Sequence, residues 1–146
     1  MKGRWAEPQF FNNVGFFKPC VPDVNIGSFG GYTDVCPGGA RIGAQLNYST
    51  EHHAVITFIA KLRRTFVYDD ERAFAEKLCT AKSLAPSVPF GIAVYDIDFD
   101  DYEDRCTSLN RNGAFSRLKA LRKVVDYFKM DSAPFNRNAC TTYAMT

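Results

Sequence analysis

Phe90-Gly91-Ile92-Ala93-Val94-Tyr95-Asp96-Ile97 is a nearly continuous apolar run that gives way abruptly to the acidic stretch 98–104. A strand with one face in water alternates apolar and polar residues; a run without that alternation suits a strand covered on both faces, as in a parallel sheet flanked by helices. Helical patterns stand on both sides of it. Upstream, Asp69 or Asp70 offers an N-cap carboxylate, Glu71 favours the positive end of the helix dipole, and Phe74, Ala75, Leu78 and Ala81 recur at helical spacing, which predicts a helix from about Glu71 to Leu84. Pro86 and Pro89 end it. Downstream, beyond a loop over residues 106–113, Phe115, Leu118, Leu121, Val125 and Phe128 mark one stripe of a second helix, with Arg117, Lys119, Arg122 and Lys123 mostly on its remaining, solvated surface. Helix, strand and helix in that order at the end of a chain are the pattern of the last unit of an α/β barrel.

The preceding half reads differently. Residues 7–45 are rich in Gly, Pro and Asn, with short apolar pieces such as Phe10-Phe11 and Val14-Gly15-Phe16-Phe17, and predict short strands and loops. Ala54 to Ile59 and Thr65 to Tyr68 are β-branched and aromatic runs flanking Lys61-Leu62-Arg63-Arg64, which predicts two antiparallel strands joined by a short connection. Beyond Met130, Pro134 and small polar residues predict a tail that wraps the surface loosely.

Composition bounds the function classes. At 46% hydrophobic, 14% aromatic and 23% charged residues the chain is too apolar for a disordered one. A net charge of +2, from 18 basic against 16 acidic residues, provides no footprint for nucleic acid or an anionic membrane. No apolar stretch approaches the roughly 20 residues of a spanning helix, so neither partner is expected. Five cysteines (Cys20, Cys36, Cys79, Cys106, Cys140) stand apart without C-x-x-C spacing, which favours dispersed disulfides over a zinc site. Asn47-Tyr48-Ser49 is a glycosylation acceptor triplet. Cysteines and triplet point to secretion, yet Met1-Lys2-Gly3-Arg4-Trp5-Ala6-Glu7-Pro8 has no apolar core of signal-peptide type, so the natural N-terminus and its signal are expected to lie upstream.

Gly91-Ile92-Ala93-Val94-Tyr95-Asp96-Ile97-Asp98-Phe99-Asp100-Asp101-Tyr102 resembles the last barrel strand of glycoside hydrolase family 18, the chitinases and chitinase-like lectins, whose pattern runs G-x-x-x-W-x-x-D-x-D-D-F. Val67-Tyr68-Asp69-Asp70 is similar to the family's G-Y-D-D element, and Phe29-Gly30-Gly31-Tyr32-Thr33-Asp34-Val35-Cys36 to its L-A-Y-Y-E-I-C strand. Gly3-Arg4-Trp5 is more weakly similar to the G-R-S-F or G-R-S-W that leaves the seventh strand. The resemblance implies an α/β fold, the C-terminal fragment of a (β/α)8 barrel with the family's small α+β insertion domain. Residues 1–146 are then one partial domain: insertion-domain strands and loops over about 6–70, helix, last barrel strand and last helix over about 71–130, and a tail over 131–146.

The resemblance further implies a secreted protein associated with chitin or N-acetylglucosamine oligosaccharides, needing no cofactor or metal. The family's D-x-x-D-x-D-x-E signature, on the fourth strand, is not in this chain, so no residue here is assigned the general-acid role and hydrolysis by the chain alone is not expected. Asp98-Phe99-Asp100-Asp101-Tyr102-Glu103 imitates its end but is one residue too long, and on a strand that shift turns the glutamate to the wrong face. Nor does the acidic run make an EF-hand calcium loop, since Asp101 stands where Gly is needed and Thr107 where Glu is needed; it is expected as an exposed loop. Tyr95 occupies the position of the family's tryptophan, the floor of the sugar site, and keeps an aromatic face of smaller area; filling the barrel interior is its structural alternative. Arg4 corresponds to an arginine beside the cleft, with a surface salt bridge as the plain alternative. His52 and His53, neighbours that would point to opposite faces of a strand, are not expected to bind a metal. The family's cysteines pair Cys36 with Cys106, leaving Cys20 with Cys79 as a weaker pairing and Cys140 odd. The alternative from another class is a disulfide-stabilised secreted protein-interaction module.

Overall fold

The computed structural model describes residues 3–6, 29–30, 36, 45–59, 64–130 and 134–146. Most of 7–45, including Cys20 and the apolar pieces 10–11 and 14–17, lies outside the described residues.

Strands β1 (Gly3–Ala6), β2 (Phe29–Gly30), β3 (Gln45–Ser49), β4 (Ala54–Ile59) and β5 (Arg64–Tyr68) form one sheet of order β2-β1-β5-β4-β3, each neighbouring pair antiparallel. The register runs from Ser49↔Ala54 to Gln45↔Phe58 across β3 and β4, and from Val55↔Tyr68 to Ile59↔Arg64 across β4 and β5. The two-residue period of a strand decides which side chains enter the core. Val55 and Thr57 on β4, with Phe66 and Tyr68 on β5, are buried on one face; Ile56 and Val67, between them, are only half-buried. Leu46, Tyr48 and Leu109 close over that face beside Cys36 and Cys106. His52 and His53 lie in the turn between β3 and β4 rather than on a strand, and His53 adopts φ 45°.

Helix α1 (Glu71–Leu84) occupies the expected span. The Asp70 carboxylate accepts the Ala73 N–H at 2.7 Å, and the Ala85 N–H closes the last turn on Ala81 O at 3.2 Å. Helix α2 (Ser116–Lys129) is also present, but rotated from the expected stripe: Arg117, Ala120, Leu121 and Val124 are buried, whereas Leu118 and Val125 are partly exposed. The tail is not loose. Asn136 caps a third helix, α3 (Arg137–Met145), by accepting the Ala139 N–H at 3.0 Å. Cys140 and Ala144 of α3 join Ala75, Cys79 and Val124 in a second core, with Tyr127, Phe128, Phe135 and Met145 packed around it.

Residues 90–97 differ most from expectation. They form no strand ladder, and the run is exposed in alternation: Gly91, Ala93 and Tyr95 are open while Ile92 and Val94 are half-buried. Asp96 then takes the left-handed conformation (φ 53°, ψ 50°) and starts a single 3-10 turn, Ile97–Phe99. A strand buried on both faces requires strand neighbours at its edges and layers above and below; here α2 lies against one face of the run, and the Lys82 ammonium of α1 reaches the Phe90 ring at 5.7 Å.

Candidate functional site

The chemistry-bearing residues gather in the loop between the 3-10 turn and α2. Asp100 and Asp101, expected in an exposed loop, are both buried, and each organises part of it. The Asp100 carboxylate accepts the Arg117 Nε–H at 2.7 Å and the Asp101 backbone N–H at 3.0 Å through Oδ1. The same guanidinium donates to Phe99 O at 3.2 Å and to Asp69 O at 3.5 Å, so one cation joins the loop to the entry of α1. Arg117, expected on the solvated face of its helix, is only 1% exposed. A planar guanidinium can satisfy several acceptors from one position, which is why an arginine tolerates this burial.

Asp101 is a pure acceptor. Its carboxylate takes the Cys106 N–H at 2.6 Å, the Arg105 N–H at 3.0 Å and the Asn110 amide at 2.9 Å, folding the loop back on itself. Burial pushes the Asp101 carboxyl up most strongly, but the Cys106 and Arg105 N–H groups, the Asn110 amide and the Arg105 charge together outweigh it, so the group is held below its ordinary value. Asp70 goes the other way: burial raises it despite the Ala73 N–H that it accepts. Ser116, at the start of α2, donates to the buried carboxylate of Glu71 and accepts the Asn112 N–H at 2.9 Å. Loop, α1 and α2 are therefore joined by two buried polar links.

Around this scaffold a shallow acidic depression of about 250 Å³ is lined by Asp98, Tyr102, Glu103 and Arg105 with the buried aspartates below, and Glu103 is paired with Arg105. Cys36, Asp101 and Cys106 place ligand-type atoms close together, but the two sulfurs are bonded to each other and Asp101 is occupied by N–H donors. That chemistry is structural, not metal-binding.

Of the residues expected at a sugar site, Tyr95 presents its ring at 77% exposure, immediately before the left-handed Asp96. Tyr102, near the other end of the loop, is 54% exposed with its ring 6.4 Å from that of Phe115. Arg4 lies in β1, across from Val67 on one side and Phe29 on the other. Asn47 is exposed on β3, the last strand in the sheet order. Cys36 and Cys106 are bridged, with Cα atoms 5.3 Å apart. Cys79 pairs with Cys140 across a Cα separation of 5.9 Å, which corrects the expectation that it joins Cys20. His53 Nδ1 meets the Tyr48 hydroxyl at 3.4 Å, and His52 faces Glu51.

The Arg117, Asp100 and Ser116, Glu71 pairs had no expectation attached to them. One signal was available for the first: Arg117 shares a helical face with Leu121 and Val124, so an arginine in line with apolar positions marks a buried partner. No helix among the described residues is long and apolar enough to cross a membrane. No family model, curated protein or solved structure matches the chain.

Proposed function

We propose that the chain is the carbohydrate-associated C-terminal part of a secreted, chitinase-like (β/α)8 protein that takes chitin or N-acetylglucosamine oligomers against Tyr95 and has no hydrolytic machinery in these 146 residues. The observation that carries this is Tyr95: an aromatic at the position of the family's tryptophan, with 77% of its surface open. Such a face packs against the C–H face of a pyranose ring. The loop that follows it in sequence is pinned through Asp100, Asp101 and Arg117. Two disulfides support an extracellular setting, because bridges of this kind persist in oxidising compartments. The bridge between Cys36 and Cys106 joins the two cysteines that the resemblance pairs.

The roles divide simply. Tyr95 stacks, the acidic loop offers acceptors to sugar hydroxyls, and a general acid would have to come from the fourth-strand segment that the family carries upstream. Titrating chitotetraose into the labelled protein, with NMR shifts as the readout, is the test. Shifts near Tyr95 that vanish in Tyr95→Ala and persist in Tyr95→Phe are expected; equal shifts in wild type and Tyr95→Ala would remove Tyr95 from the site. A second reading, the protein-interaction module, is favoured by the open apolar segment before Tyr95, and the absence of any sugar-induced shift would leave it ahead.

A further inference from the structure

We propose that Asn47 carries an N-linked oligosaccharide in the folded protein, attached on the face of the sheet opposite the core of Cys36 and Cys106. The inference rests on the secretory setting of the proposed function and not on sugar binding at Tyr95.

Asn47-Tyr48-Ser49 is the only N-x-S/T triplet in the sequence. The two-residue period of β3 decides where its amide points. Leu46 and Tyr48 pack against the core cluster that holds both cysteines, and their partners across the ladder, Thr57 and Val55, are buried. Asn47 stands between them, so it falls on the other face, opposite the half-buried Ile56, and is exposed. A register slipped by one residue would have turned the amide inward. Ser49, two residues on and therefore on the same face as Asn47, supplies the hydroxyl of the triplet and accepts the His52 N–H at 3.3 Å.

The amide of Asn47 has no structural work among the described residues. Asparagine is disfavoured inside strands, because its side chain competes with the backbone for hydrogen bonds, yet this one sits in the middle of β3. It makes no hydrogen bond to a described residue. By contrast Asn110 donates to Asp101 at 2.9 Å and to Asp104 at 2.7 Å, Asn112 accepts from Lys123 at 3.0 Å, and Asn136 caps α3. Attachment at Asn47 therefore displaces no described contact.

The step is a group transfer without redox change. Asn47 Nδ2 attacks the anomeric carbon of an N-acetylglucosamine whose oligosaccharide is carried on a polyprenyl diphosphate, the co-reactant. The bond from that carbon to Nδ2 forms, its bond to the diphosphate oxygen breaks with the electron pair leaving on the diphosphate, and Nδ2 gives up one proton to a base of the transferase. The fold decides whether the product is housed. A bulky hydrophilic group is tolerated where the side chain already stands in water; on the face of Leu46 and Tyr48 it would hold β3 off the core.

The full chain, secreted from a eukaryotic cell behind an added leader, tests the proposal, because the leader imposes the route and leaves the acceptor as the question. The readout is intact mass before and after treatment with peptide N-glycosidase. An increment of one oligosaccharide is expected, removed by the enzyme with aspartate then read at position 47 in the peptide map. It should be absent from Asn47→Gln and Ser49→Ala and retained in Ser49→Thr, which keeps the hydroxyl. The secreted glycoprotein should also carry the bridges from Cys36 to Cys106 and from Cys79 to Cys140. A secreted wild type without the increment, an increment that survives in Asn47→Gln, or a glycan found only on retained chain lacking the bridge from Cys36 to Cys106 would each overturn the proposal. Chitotetraose titration of the deglycosylated protein reads Tyr95 separately, so the failure of either leaves the other standing.

Discussion

Arg117 concentrates the energetic stakes of the loop in one side chain. Its guanidinium is buried against Asp100 and also serves Phe99 O and Asp69 O, so removing it strands a carboxylate away from water. Arg117→Ala is expected to cost about 3–5 kcal/mol in urea unfolding, while Asp100→Leu combined with Arg117→Met recovers most of that loss, because the double change leaves no buried charge. If the two single changes simply add, the pair is not coupled as described. Asp101 governs the response to acid. Its folded value lies below the ordinary 3.8, so the stability it contributes is complete above that pH and is lost as the pH falls through the folded value. Asp101→Asn should therefore lower stability at neutral pH and flatten its dependence below pH ~4, as read from urea midpoints across the acid range. An unchanged acid profile would show that other carboxylates set it.

Helix α3 shows how an element can be stable without advertising itself. Pro134 and a short sequence of Ala, Cys and Thr have little amphipathic character, yet the Asn136 cap, the Arg137 to Glu76 ion pair at 2.9 Å and the bridge from Cys140 to Cys79 hold it on α1. The bridge closes a loop of 61 residues, worth about 4 kcal/mol when treated as lost entropy of the unfolded chain. Cys79→Ala with Cys140→Ala should lower stability by up to that amount and expose α3 to limited proteolysis. Retention of full protease resistance would mean that packing alone secures the helix. By contrast α1 announced itself in full, since an Asp cap, a first-turn Glu and a following Pro pair are local signals that need no partner to be read.

At the scale of the molecule, two cores each carry one disulfide: Cys36 with Cys106 beside the sheet, and Cys79 with Cys140 among the helices. The buried polar links of Glu71 to Ser116 and Asp100 to Arg117 run from the start of α1 to α2 and its preceding loop. Of the carboxylates in this loop, Glu103 is paired with Arg105, and the buried Asp100 and Asp101 hold Arg117 and N–H donors. Purified protein should accordingly release no fluorophore from a chitobioside substrate at any pH, and turnover that survives rigorous repurification would refute this. What could be read directly from residues was local: the span of α1, the strand runs β4 and β5, the presence of α2, and cysteines spaced for bridges rather than for metal. The rest depended on contacts between segments distant in sequence. Arg117 is buried because Asp100 and Asp69 O meet it, Cys79 finds Cys140 because α3 docks on α1, and the apolar run 90–97 joins no ladder among the described residues because a strand is completed by neighbours, not by its own side chains.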